Sequence, residues 1–97
     1  MVFFDLPMET GTQRKAYRGF RKFLKSSGYM FFQKSVYLRL MRNGRNSNDE
    51  SERVKKAFPP GGSISILPLG VAAFERMVMA GETKLDFGKF LDDVVFI

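Results

Sequence analysis

Tyr29-Met30-Phe31-Phe32-Gln33-Lys34-Ser35-Val36-Tyr37-Leu38-Arg39-Leu40-Met41 decides the fold. The stretch is dense in aromatic and aliphatic residues, which is the composition of a long strand. In its second half Val36, Leu38 and Leu40 alternate with Ser35, Tyr37 and Arg39. Its first half is apolar on both sides, so both faces of the sheet are expected to be covered there, one of them by a second copy of the sheet. Upstream lies a helix. Thr10-Gly11-Thr12-Gln13 fits the S/T-x-x-E/Q capping box, and Ala16, Tyr17, Phe20, Phe23 and Leu24 recur at helical spacing until Gly28. Ahead of that helix, Met1-Val2-Phe3-Phe4 reads as a buried strand stopped by Asp5-Leu6-Pro7.

Downstream, Arg42 to Ser51 is polar and reads as a loop, and Glu50 to Phe58 as a short helix ended by Pro59-Pro60-Gly61-Gly62. Ser63 to Leu67 alternates Ser with Ile as a strand does. Val71, Phe74, Met77 and Val78 form the stripe of a second helix with Gly81 as its stop, and Val94 to Ile97 closes the chain as a strand. The order β-α-β-β-α-β predicts a ferredoxin-like α+β domain, an antiparallel sheet with helices on one face. Residues 1–97 show no repeat, linker or low-complexity tract, so a single domain is expected.

The chain has 97 residues, of which 11 are Phe, and lacks Cys, His and Trp. Without cysteine there is no disulfide scaffold, thiolate zinc site or cysteine nucleophile. Without histidine the usual acid/base group at neutral pH is missing too. Chemistry is left to carboxylates, hydroxyls, Lys, Arg, Tyr and a hard, oxygen-loving cation. No apolar run approaches the roughly 18 residues of a membrane span, and no signal-peptide pattern opens the chain. A cytoplasmic protein with no membrane association is expected.

The net charge is +6, and its distribution says more than its size. Between Gly11 and Asp49 stand ten basic residues and no acidic one. On a helix, Arg14, Arg18, Arg21 and Lys25 fall within an arc of about 60°, widened on one side by Lys15 and Lys22, with Phe20, Phe23, Leu24 and Ala16 opposite. A solvated face ordinarily mixes both signs. This one is positive throughout, which favours the phosphates of a nucleic acid, and nothing in it reads bases. Asp5 ends the first strand. The residues alone leave it open between a loop cap, a solvent-facing strand end and a cation ligand.

Val2-Phe3-Phe4-Asp5-Leu6-Pro7, the basic helix from Arg14-Lys15-Ala16-Tyr17-Arg18 to Phe23-Leu24, Gly28-Tyr29 and Gln33-Lys34-Ser35-Val36-Tyr37 together resemble one family. It is the second core CRISPR-associated protein, the small dimeric nuclease-like subunit of the spacer-acquisition machinery. The resemblance covers nearly the whole chain. It implies a homodimer formed through the sheet face and a metal-dependent endonuclease acting on RNA or DNA, with Asp5 as catalytic residue and ligand of Mg²⁺ or another hard divalent cation. The segregated charge of the helix makes Arg14, Lys15, Arg18, Arg21, Lys22 and Lys25 the expected nucleic-acid-binding residues, and the resemblance implies a companion CRISPR integrase as partner. Two other functions share the same surface: a non-catalytic DNA-binding scaffold of the integrase complex, and a toxin-like ribonuclease of the same fold. Tyr37, Phe31 and the other strand aromatics read as core or dimer contacts, because the RNA-recognition strand signature is absent.

Overall fold

The computed structural model describes residues 1–42, 47–78, 80 and 94–96. Val2–Asp5 forms β1, Gly11–Ser26 forms α1, Met30–Gln33 forms β2 and Val36–Leu38 forms β3. Leu40–Arg42 is β4, Ser47–Ala57 is α2, Ser63–Ile66 is β5 and Leu69–Gly70 is β6. Val71–Glu75 is α3 and Val94–Phe96 is β7. β2, β3, β1 and β5 lie side by side in that order, every neighbouring pair antiparallel. A smaller antiparallel sheet runs β4-β7-β6.

The α+β order β-α-β-β-α-β is present, built from different pieces than the sequence pattern assigns. Tyr29 to Met41 is expected as one strand and is instead a hairpin, β2 and β3, followed by the separate β4. The turn falls at Lys34-Ser35, where Ser35 takes φ 62°. Neither residue carries the usual Asn-Gly or Asp-Gly mark of a tight turn, so the break is silent in composition. The second helix of the pattern is α2, which starts at Ser47, three residues ahead of the expected Glu50. Asp49 and Glu50 stand in its first turn, where negative charge suits the helix N-terminus. The stripe expected to run to Val78 yields only the five-residue α3, on the other face of the sheet. Gly81, Ile97 and the polar connection between the expected last helix and strand lie outside the described residues.

β1 explains the layering, because successive strand side chains point to opposite faces. Val2 and Phe4 face α1 and α2 and are buried with Tyr17, Phe20 and Leu24 of α1, Val54 of α2, and Tyr37. Phe4 stacks on Tyr37 at 6.0 Å and meets Phe20 edge-on at 5.0 Å. On the opposite face Met1, Phe32 and Leu38 pack with Phe74 of α3, so part of the cover expected from a second copy comes from the chain itself. The double cover expected of the first half of the long strand does not extend to Met30 and Phe31, which are 38% and 48% exposed. Among the described residues, no helix is long and apolar enough to cross a membrane.

Candidate functional site

Asp5 is the last residue of β1 and is exposed. Antiparallel pairing sets Asp5 opposite Ser63 and Phe3 opposite Ser65. On the other side β1 meets β3, where the Phe4 amide donates to the Ser35 carbonyl at 3.0 Å. The result is a shallow basin of about 290 Å³ lined by Phe3, Phe4, Asp5, Lys34, Ser35, Val36, Ser63 and Ser65. It offers one carboxylate, three hydroxyls and one ammonium. The Pro59-Pro60-Gly61-Gly62 turn holds the Asp5 backbone from below: Gly61 adopts φ +94°, and a Cβ on Gly62 would come within 2.2 Å of the Asp5 carbonyl oxygen. Only glycine permits that approach.

The donor set suits a hard cation. Mg²⁺ prefers oxygen ligands, keeps several waters and is often held by one or two carboxylates plus substrate phosphate. Among the described residues, no group of three acidic side chains stands ready to cage a metal, and the described lining of the basin carries one carboxylate, that of Asp5.

The basic stripe lies on α1 as its spacing requires. The capping box forms in full: Gln13 N–H donates to Thr10 Oγ1 at 3.1 Å, and Thr10 N–H donates to Gln13 Oε1 at 3.0 Å. Arg14, Lys15, Arg18, Lys22 and Lys25 are exposed and Arg21 is half-buried. Arg18, Arg21, Lys22, Lys25 and Ser26 line a depression of about 270 Å³ with no acid in its wall. Two of the arginines are held by the fold. Arg14 Nη1 donates to the Met8 and Glu9 carbonyls at 3.2 and 3.1 Å. Arg21 Nε donates to the buried Tyr37 hydroxyl at 3.1 Å, which pushes its pKa further up. Arg14 and Lys15 lie outside the depression, and the depression shares no residue with the Asp5 basin. The candidate ligand and the candidate phosphate-binding face are therefore two places.

One buried acid is invisible in the sequence pattern. Glu50 accepts from Tyr29 Oη at 3.0 Å and from Arg53 Nε and Nη2 at 3.2 and 3.1 Å, and pairs with Arg39 Nη1 at 3.0 Å. Burial alone pushes the Glu50 carboxyl up, but the hydrogen bonds from Arg53 and Tyr29 and the charges of Arg53 and Arg39 outweigh it and hold it below the usual range. Burial, the Glu50 charge and the hydrogen bond to Glu50 push the Tyr29 phenol up. The cluster ties α2 to the end of α1 and to the β3–β4 junction, and its arginines are spent on Glu50. Its only sequence trace is the i,i+3 spacing of Glu50 and Arg53.

A four-stranded antiparallel sheet of order β2-β3-β1-β5 under two helices, with a lone acid ending β1, defines a small ferredoxin-like α+β protein. Residues 1–77 match the family described as "CRISPR associated protein Cas2". Over a 98-residue alignment covering the whole chain, it is 36% identical to the CRISPR-associated endoribonuclease Cas2 of Streptococcus mutans serotype c strain NN2025, of which 92% is covered. It is 36% identical to the protein of the same name from Treponema denticola, with 90% of this chain and 87% of that one covered. For the one from Lacticaseibacillus rhamnosus the identity is 33%, over all of this chain and 97% of that one. The chain belongs to the CRISPR-associated Cas2 family.

Proposed function

We propose that this chain is a metal-dependent nuclease that cuts phosphodiester bonds of RNA or DNA at Asp5 and holds the nucleic-acid backbone along α1. The relatives' name, endoribonuclease, favours RNA as a substrate. The observation that carries the reading is the basin at the end of β1, where an exposed carboxylate, three serine hydroxyls and Lys34 share one surface. Asp5 would hold Mg²⁺, with Ser63 and Ser65 as neighbouring oxygen donors. The bound cation would polarise the phosphodiester and lower the pKa of a water for in-line attack. Lys34 would offset phosphate charge, and the cations of α1 would fix the backbone without reading sequence. A 16-residue helix is about 24 Å long, enough to meet several phosphates. The protein would work as a homodimer, because a twofold axis can bring a second copy of the Asp5 carboxylate to one cation. A companion CRISPR integrase would be its partner.

A second reading, a non-catalytic DNA-binding scaffold of that integrase, is favoured by the separation of the basic depression from the Asp5 basin. One pair of variants tests both. Asp5→Asn should abolish Mg²⁺-dependent cleavage of RNA and DNA while leaving dimer mass and duplex affinity near wild type. Cleavage at the wild-type rate by Asp5→Asn would remove Asp5 from catalysis. Replacing Arg18, Lys22 and Lys25 by Ala should weaken binding of every sequence alike and flatten the salt dependence by about 0.9 for each phosphate that is no longer neutralised. An unchanged salt slope would mean that the nucleic acid binds elsewhere.

A further inference from the structure

We infer that Phe31 is a stacking platform for an unpaired nucleotide at the edge of the nucleic acid held by α1. This rests on the phosphate-binding reading of that helix. Phe31 stands in β2, the edge strand of the four-stranded sheet, and is 48% exposed. It is paired across the ladder with Tyr37, so both side chains point to the helix-covered face. The Phe31 ring meets the Tyr37 ring edge-on at 5.8 Å. The Tyr37 hydroxyl in turn accepts from Arg21 Nε at 3.1 Å, and Arg21 lines the depression with Arg18, Lys22 and Lys25. Tyr37, only 1% exposed, thus links the exposed ring on one side to Arg21 of the basic depression on the other.

A large apolar ring on an open strand edge invites self-association and is usually replaced by a charge there. Its neighbours choose the occupant. A wall of Arg and Lys without an acid repels a second copy of the same surface and attracts a polyanion. Bases inside a duplex already stack on each other and cannot meet the ring. A frayed end, an overhang or a single strand presents a free π-face with its phosphate on the same residue. That pairing of an aromatic with flanking cations is how single strands are held without sequence preference.

The test compares a blunt duplex, the same duplex with a short 3′ overhang, and the overhang strand alone, each in DNA and RNA form, with 2-aminopurine in the unpaired segment. Wild type should bind the overhang and single-strand probes and quench the 2-aminopurine. Phe31→Ala should lose about tenfold in affinity for those probes, together with the quench, and bind the blunt duplex as wild type does. Phe31→Tyr should restore both. Light scattering should give Phe31→Ala the wild-type mass. Retained quenching in Phe31→Ala, or equal weakening on all three probes, would overturn the assignment. A changed mass would show instead that the ring covers a contact between copies. Failure of the underlying reading looks different: blunt-duplex affinity would ignore Arg18→Ala, whereas the quench is scored on the single strand by itself.

Discussion

The two faces of β1 are treated very differently although they share one four-residue strand. On the helix side Val2 and Phe4 sit among buried aromatics and aliphatics with almost no solvent contact. On the other side Phe3 is half-buried and Asp5 is exposed beside serines and a lysine. Alternation along a single strand therefore separates what holds the molecule together from what it presents to solvent. A shift of register by one residue would exchange the two sets, placing the Asp5 carboxylate under the helices and Phe4 in solvent.

The largest expected effect tests the buried side. Phe4→Ala removes a ring packed against Tyr17, Phe20 and Tyr37 and should cost about 3–5 kcal/mol in denaturant unfolding. Phe3→Ala, on the half-open face, should cost less than half of that. Equal losses would erase the distinction between the faces. Next comes the support under Asp5. Gly62→Ala forces a Cβ against the Asp5 carbonyl and the Leu6 side chain, and should destabilise by about 1–3 kcal/mol. Because the clash is with Asp5 itself, Mg²⁺-dependent cleavage should fall further than the loss of folded protein explains. Gly19→Ala, where a Cβ meets nothing within 4 Å, is the control.

The smallest effect concerns the acid limb of stability. Glu50 is held below its usual pKa, so it binds fewer protons in the folded state than in the unfolded one. Its contribution is full above the unfolded value, near 4.5, and is lost as pH falls through the lower folded value. Glu50→Gln should cost about 1–2 kcal/mol at neutral pH, and its stability should fall less than that of wild type between neutral pH and pH 3. Arg39 and Arg53 are substantially exposed, which keeps this cost modest. Parallel acid titrations of the two proteins would show that Glu50 makes no such contribution.

Much of the framework is legible in the residues. The Thr10–Gln13 box forms as its spacing demands, Gly28 turns the chain at φ +90°, and β1 ends at Asp5. The single long strand fails at Ser35, because a positive φ in a serine leaves no mark that composition can reveal. The basic face of α1 is visible as charge segregation. That Arg14 and Arg21 are tethered to carbonyls and to Tyr37 is not, since those partners come from loop and strand. Glu50 is missed for a similar reason: its partners Tyr29 and Arg39 are distant in sequence, and only folding brings them to it.

Tyr37 carries one more consequence. Its ring is wedged between Phe4 and Phe31 and its hydroxyl fixes Arg21, so the guanidinium at the surface inherits the immobility of the core. A free arginine surrenders about 2 kcal/mol of rotamer entropy when it grips a phosphate. An arginine already held at its Nε has less freedom left to lose. Swapping Tyr37 for Phe would keep the packing and release Arg21, making binding through this helix slacker in geometry with its charge unaltered.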